Sequence, residues 1–173
     1  SGDAMITNKL GFKLAVRTAD CLPILVVDPV SRSIAAIHAG WRGTAQEIAL
    51  KTIEKMASRY AADRDTMIVA IGPGIGACCY QVGPEVAKEF AGFNAAWAEA
   101  AEPVNLDLTE INRQQLIKAG LRERNVLTGA PCRRQRGAAG ARRGGLSSRR
   151  SGWFRSASAG TSAALPCVVR VDP

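Results

Sequence analysis

The sequence has little histidine, few aromatic residues and no long apolar run. His38 is the one histidine, so this chain alone cannot supply a metal site or an acid–base site that needs several imidazoles. The five cysteines are odd in number and irregularly spaced, which argues against the disulfide framework of a secreted protein and favours a reducing, cytoplasmic setting. No apolar run approaches the ~20 residues that cross a bilayer, so we expect no membrane partner.

The excess of basic charge is confined to the end of the chain. Residues 1–131 carry 14 basic and 14 acidic side chains, whereas residues 132–173 carry nine arginines, no lysine and a single acid. We therefore divide the chain into a core domain, residues 1–131, and a tail, residues 132–173. The tail has three interpretations: a disordered basic extension that binds nucleic acid non-specifically through phosphates, an out-of-frame translation beginning near Cys132, or a folded ending.

The first half of the chain alternates between strand-like and helical patterns. Apolar and β-branched runs predict strands at residues 12–18, 22–27, 33–38 and 66–71. Thr44 and Glu47 have the spacing of a capping box, in which each side chain bonds the backbone N–H of the other, so a helix is predicted to start at Thr44. Further helices are predicted at residues 84–90 and 108–121. Strands interleaved with helices indicate an α/β or α+β domain.

Two residues with reactive side chains lie at the ends of predicted strands. Cys21 and His38 would come together if their strands are neighbours, giving either a zinc or copper site or a cysteine nucleophile activated by histidine. On spacing alone, a buried apolar cysteine and a core histidine explain the same residues more simply. The adjacent Cys78 and Cys79 are interpreted as packing residues or as the lining of a site, since neighbouring cysteines rarely form a disulfide.

Two further features point to ligand binding. Arg42 lies just before the predicted helix start at Thr44, where unpaired N–H groups and the helix dipole favour an anion such as phosphate or a carboxylate. The alternative is that Arg42 is an ordinary surface residue. Residues 72–76 (GPGIG) form a glycine-rich turn, with Gly74 at its centre, that would let a ligand approach the backbone. The turn has neither the Walker nor the dinucleotide spacing.

Several of these segments, taken in order, resemble one family. They are residues 4–7 (AMIT), 18–24 (TADCLPI), 38–44 (HAGWRGT), 71–83 (IGPGIGACCYQVG) and 106–108 (LDL), followed by Asn112 and Gln115. The pattern is similar to the YfiH-like family, also called laccase-domain polyphenol oxidases, whose members are also described as purine nucleoside phosphorylases. The match covers about residues 3–131 and stops at Cys132, where the composition changes.

The resemblance implies a fold and a metal. The fold would be an α/β (α+β) domain of the YfiH-like, cysteine-hydrolase type, with mixed sheets and flanking helices. In the family a zinc is held by one cysteine and two histidines, and the matching residues here are Cys21 and His38. The second histidine belongs to a Gln-Val-His-Gly type motif that this chain lacks, so the chain is expected to miss its beginning and to hold zinc, or alternatively copper, with an incomplete site.

The resemblance also implies a reaction. Adenosine, inosine, guanosine or methylthioadenosine would be split by phosphate, and adenosine could also be deaminated. From their chemistry, Arg42 and Thr44 would hold phosphate, and Trp41 or Tyr80 would stack on the purine. The alternatives are copper-dependent oxidation of phenols, a Cys–His deamidase by fold analogy, and an inactive fragment or nucleic-acid binder that acts through its tail.

Overall fold

The computed structural model describes residues 2–128, residue 132, and residues 154–156 and 165–170. The strands in chain order are β1 (Ala4–Thr7), β2 (Lys13–Thr18), β3 (Leu22–Asp28), β4 (Ser33–Ala39), β5 (Ile68–Ile71), β6 (Gln81–Val82), β7 (Val104–Asn105), β8 (Val126–Leu127), β9 (Phe154–Ser156) and β10 (Leu165–Arg170). The α-helices are α1 (Trp41–Ala45), α2 (Ile48–Tyr60), α3 (Pro84–Lys88) and α4 (Leu108–Lys118). This mixture of strands and helices confirms the predicted fold class.

A five-stranded sheet in the order β1–β4–β3–β5–β8 forms the centre of the described structure. Its first four strands pair antiparallel, and β8 lies parallel to β5. Every residue of β3 is buried, so its apolar run lacks the alternation of a strand with one face in water. In β2 buried and exposed residues alternate, as expected where one face meets solvent.

A buried aspartate fixes the turn between β3 and β4. The Asp28 carboxylate accepts hydrogen bonds from the backbone N–H groups of Val30 and Ser31, at 3.3 and 3.1 Å. It also accepts from the Thr66 hydroxyl at 2.6 Å and the Asp63 backbone N–H at 3.3 Å, which ties the turn to the segment before β5. Burial alone would raise the pKa of Asp28, but the bonds from Ser31, Thr66 and Val30 outweigh it and lower the pKa below its usual range.

The helix predicted to start at Thr44 is two helices, and the predicted capping box is wrong. Glu47 separates α1 from α2 in the left-handed conformation, with φ 57° and ψ 42°, and neither helix has a side-chain cap. The Thr44 hydroxyl instead accepts a hydrogen bond from Asn112 of α4. The Thr44 side chain is therefore used in a long-range contact with α4, and not in the helix cap that the local pattern predicts. The other two predicted helices are confirmed as α3 and α4.

Two segments of the tail form strands. β10 pairs antiparallel with β2 over six positions, from Leu165 opposite Thr18 to Arg170 opposite Lys13, and β9 pairs with β10. Apart from Cys132, the rest of the tail lies outside the described residues, so its three interpretations and the boundary at residue 131 stay predictions. Within the described ranges, none of the helices has the length and apolar character of a membrane span.

Candidate active site

Strand register brings a thiol, an imidazole and a carboxylate to one end of the central sheet. β1 pairs with β4 so that Ala4 lies opposite Ile37, which places Asp3 beside His38. β3 pairs with β4 so that Leu22 lies opposite Ala39, which places Cys21 beside Gly40. The thiol, the imidazole and the carboxylate therefore meet where three adjacent strands begin or end.

Gly40 lies directly beneath the thiol and the imidazole. A methyl group on Gly40 would lie 3.0 Å from Cys21 Sγ and 3.9 Å from His38 Cε1. Both side chains are partly exposed, so they are open to a ligand from solvent. The structure thus brings Cys21 and His38 together, as the strand pattern predicted, while their roles as catalytic residues and metal ligands stay predictions.

Asp3 orients the imidazole, a contact that the sequence patterns do not predict. The His38 backbone N–H donates to the Asp3 carbonyl oxygen at 2.7 Å, and His38 Nδ1 lies 3.2 Å from Asp3 Oδ1. Because a carboxylate only accepts, Nδ1 is the donor in this contact, and in the neutral imidazole Nε2 is then the nitrogen with a lone pair. A carboxylate behind the far ring nitrogen is the usual partner of a metal-binding histidine. The one signal in the sequence was an acid just before a short apolar run.

The surroundings of Cys21 hold its thiol protonated. Burial raises the pKa of Cys21, and the nearby charges of Asp20 and Asp3 raise it further. The same surroundings act on Tyr80, whose pKa is raised by burial and by Cys21 and is lowered by Arg42. A thiol with a raised pKa is a poor nucleophile at neutral pH, so these charges do not favour the deamidase alternative. The effect of Arg42 on the pKa of Tyr80 shows that these two residues lie within electrostatic range of one another.

Trp41 and Arg42 contact each other at the start of α1. The Arg42 guanidinium carbon lies 4.3 Å from the centroid of the Trp41 ring, a cation–π distance. Trp41 and Tyr80 are both partly buried and pack against the hydrophobic core. Arg42 therefore covers a face of the ring that was predicted to stack on a purine.

Thr44 lies inside α1 rather than at a helix start. Its backbone N–H donates to the Gly40 carbonyl oxygen at 2.9 Å, and its side chain is fully buried. The Thr44 hydroxyl accepts from Asn112 Nδ2 at 3.0 Å, and its carbonyl oxygen accepts from Gln115 Nε2 at 2.9 Å. The predicted helix N-terminus at Thr44 is wrong, because its N–H is already used within the helix. These bonds fasten α1, the helix that carries Arg42, to α4.

Gly74 packs against the segment that carries Cys21. A methyl group on Gly74 would lie 2.5 Å from Leu22 Cδ2 and 3.1 Å from the Asp20 carbonyl oxygen. The same turn donates from Gly72 N–H to the Pro23 carbonyl oxygen and from Ile75 N–H to the Asp20 carbonyl oxygen, both at 2.8 Å. The groups that pack against Gly74 belong to the protein's own chain. A contact between Gly74 and substrate stays a prediction.

Three further cysteines meet near Gly76, at the end of this turn. The sulfur atoms of Cys78, Cys79 and Cys132 all lie within 4.8 Å of one another, and the Cys78 and Cys79 sulfurs are 3.4 Å apart. Gly76 N–H donates to Cys132 Sγ at 3.2 Å. The sequence pattern predicts packing or site lining for the first two and gives the third no role beyond the start of the tail, so it does not indicate this cluster.

Comparison with known proteins identifies the family. Residues 1–138 match the family model described as multi-copper polyphenol oxidoreductase laccase. The chain is 41% identical over 122 residues to a purine nucleoside phosphorylase of Deinococcus radiodurans, covering 69% of this chain and 48% of that protein. It is 38% identical over 138 residues to adenosine deaminase RL5 from an unknown prokaryotic organism, covering 76% and 52%.

A solved structure agrees with the sequence matches. The fold is similar to that of YlmD from Geobacillus stearothermophilus, with a TM-score of 0.74 and 27% identity, covering 99% of this chain and 61% of that one. The chain spans about half the length of the two curated relatives. With a family model over most of the chain, enzymes among its relatives and the same fold in a solved structure, the chain belongs to the YfiH-like, laccase-domain family.

Proposed function

We propose that this chain is part of a purine nucleoside phosphorylase that also deaminates adenosine. The substrates would be adenosine, inosine, guanosine or methylthioadenosine together with phosphate, and the setting would be the cytoplasm. The observation that carries the proposal is the convergence of Cys21 and His38 over Gly40, with Asp3 behind the imidazole. The names of the two relatives, a purine nucleoside phosphorylase and an adenosine deaminase, support the choice of substrate class.

The donor atoms that this chain supplies fit zinc, but they are fewer than the family site has. Cys21 Sγ and His38 Nε2 would be two of its ligands, and Asp3 on Nδ1 supplies the outer partner that such a histidine needs. The third family ligand, a second histidine, is not in this sequence. When bound, zinc would polarise an oxygen or lower the pKa of a water molecule. Cysteine binds zinc as the thiolate. Cys21 would therefore have to release the thiol proton that its raised pKa favours.

The remaining side chains would bind the substrates. In phosphorolysis a phosphate oxygen forms a bond to C1′ of the pentose, the C1′–N9 bond breaks, and the purine takes up a proton. Arg42 would hold the phosphate by charge-assisted hydrogen bonds, with Thr44 fixing α1 beneath it. Tyr80, within electrostatic range of Arg42 and Cys21, would lie beside the purine, with Trp41 as a second wall and Gly74 closing the turn.

The test is release of adenine from adenosine, measured by chromatography with and without phosphate. We expect phosphate-dependent release that is lost in Cys21→Ala and weakened in Arg42→Ala through a higher KM for phosphate. Arg59→Ala is the matched control, since Arg59 also lies over a neighbouring aromatic ring but belongs to α2, away from the cysteine. An unchanged phosphate dependence in Arg42→Ala would remove its proposed role. No release by the wild-type chain, even after an upstream segment with the second histidine is restored, would overturn the proposal.

The second candidate is copper-dependent oxidation of phenols, which the description of the family model favours. A multicopper centre needs many imidazoles, and this chain offers one. A metal-defined sample separates the two candidates. Oxygen uptake with a phenol that depends on added copper, without phosphate-dependent base release, would favour the oxidase.

A further inference from the structure

We propose that Cys78, Cys79 and Cys132 form a binding site for a Cu(I) ion. The proposal goes beyond the proposed function, since none of the three takes part in it. The cluster is separate from the Cys21–His38 pair, neither member of which belongs to this group of close ligand atoms.

The spacing of the three sulfurs fits one ion between them. Metal–thiolate bonds are about 2.3 Å long, so three sulfurs around one ion lie about 4 Å apart. Here the Cys78 and Cys79 sulfurs are 3.4 Å apart and no pair exceeds 4.8 Å, so changes of less than about 1 Å would close the site around an ion. The adjacent pair supplies two donors from one turn, and the third arrives from the chain beyond β8.

The donor set favours Cu(I). Soft thiolates select Cu(I), zinc or iron–sulfur clusters, whereas carboxylates and water suit hard cations. Structural zinc is almost always four-coordinate, and among the described residues the group holds three ligand atoms and no fourth histidine, cysteine or carboxylate. Three thiolates, with no fourth such donor in the part of the chain that the structure describes, suit a three-coordinate Cu(I) ion. Cys78 is exposed, so the ion reaches the sulfurs directly from solvent.

The backbone prepares the site for negative charge on sulfur. Gly76 N–H donates to Cys132 Sγ at 3.2 Å, a bond that strengthens when the thiol becomes a thiolate. A methyl group on Gly76 would lie 3.0 Å from Cys132 Cβ, so the glycine allows the third sulfur to come this close. Each thiol that binds the ion as a thiolate releases its proton to solvent.

The test is an anaerobic titration of the full chain with Cu(I) against a chromophoric Cu(I) chelator, starting from Cys21→Ser so that the other cysteine site is removed. We expect one ion per chain in this background and at least a tenfold loss of affinity when Cys132→Ser is added. Gly76→Ala keeps every thiol and is expected to weaken binding through displacement of Cys132. Circular dichroism confirms that each variant is folded.

Two outcomes would overturn the proposal. One is equal Cu(I) affinity with and without Cys132→Ser, which would place the ion elsewhere. The other is displacement of Cu(I) by equimolar zinc, which would show that the cluster does not select Cu(I). Protection of Cys78 from alkylation by added Cu(I), lost with Cys132→Ser, would support it by a readout independent of the chelator.

Discussion

Gly74→Ala tests the packing of the glycine turn against the segment that carries Cys21. The new methyl group would lie 2.5 Å from Leu22 Cδ2, and Leu22 is fully buried, so the side chain has no solvent to move into. Overpacking of this kind costs about 1–3 kcal/mol. The φ of Gly74 is not in the left-handed region, so alanine meets the steric clash but no backbone strain.

Gly92→Ala is the matched control for that substitution. A methyl group on Gly92 would meet nothing within 4 Å, and the residue is exposed. Each substitution reduces the conformational entropy of the unfolded chain by the same amount, which favours folding by about 0.4–1 kcal/mol. The difference in stability between the two variants therefore isolates the clash. We expect Gly74→Ala to melt about 2–12 °C below Gly92→Ala, measured by thermal unfolding. Equal melting temperatures would show that the turn does not pack against Leu22.

Three further predictions follow from buried or oriented polar groups. Removing the partner of His38 with Asp3→Ala should shift the single histidine from the Nδ1–H toward the Nε2–H tautomer, seen in its ¹⁵N spectrum, and lower zinc affinity about 10–100-fold. Thr44→Val should cost about 1–3 kcal/mol in urea unfolding, because a buried N–H of Asn112 loses its acceptor. Asp28 has a lowered pKa, so its stabilisation is present above the ordinary value of 3.8 and is lost as pH falls through the folded pKa. Asp28→Asn should therefore be less stable at neutral pH and lose less stability in acid.

Matched variants accompany these three substitutions. Thr52→Val removes a hydroxyl that bonds within its own helix, to the Ile48 carbonyl oxygen, and should cost less than Thr44→Val. Asp65→Asn removes an exposed carboxylate and should leave the histidine spectrum and the neutral-pH stability nearly unchanged. An unaltered tautomer in Asp3→Ala, or an acid profile of Asp28→Asn that matches wild type, would contradict the hydrogen bonds on which these predictions rest.

Local patterns predicted four of the strands, β2 to β5, and the position of the two reactive residues. β3 and β4 are short apolar runs bounded by turn residues, a pattern typical of strands. Cys21 and His38 stand at the ends of those strands, so pairing them in a hairpin was enough to bring the side chains together. The family resemblance then supplied the chemistry that spacing alone left open.

Long-range contacts account for the features that local sequence patterns did not predict. Asp3 reaches His38 across 35 residues through β1, a four-residue strand too short to show a period. Thr44 has the local signature of a cap, yet it lies inside α1 and bonds Asn112, 68 residues away. Cys132 bonds Gly76 across 56 residues, and nothing in its own neighbourhood in the sequence indicated a partner. In each case tertiary structure overrode or completed a local preference.

The position of β1 has a consequence for the dynamics of the site. Among the strands that the structure describes, β1 pairs with β4 alone, while β3 and β4 each have two neighbours. Edge strands open by local fluctuations that cost far less than global unfolding. Fraying of β1 would withdraw Asp3 from His38 and leave the thiol and the imidazole in place on the inner strands. Hydrogen exchange at β1 thus reports how often the imidazole loses its orienting carboxylate in a molecule that is otherwise fully folded.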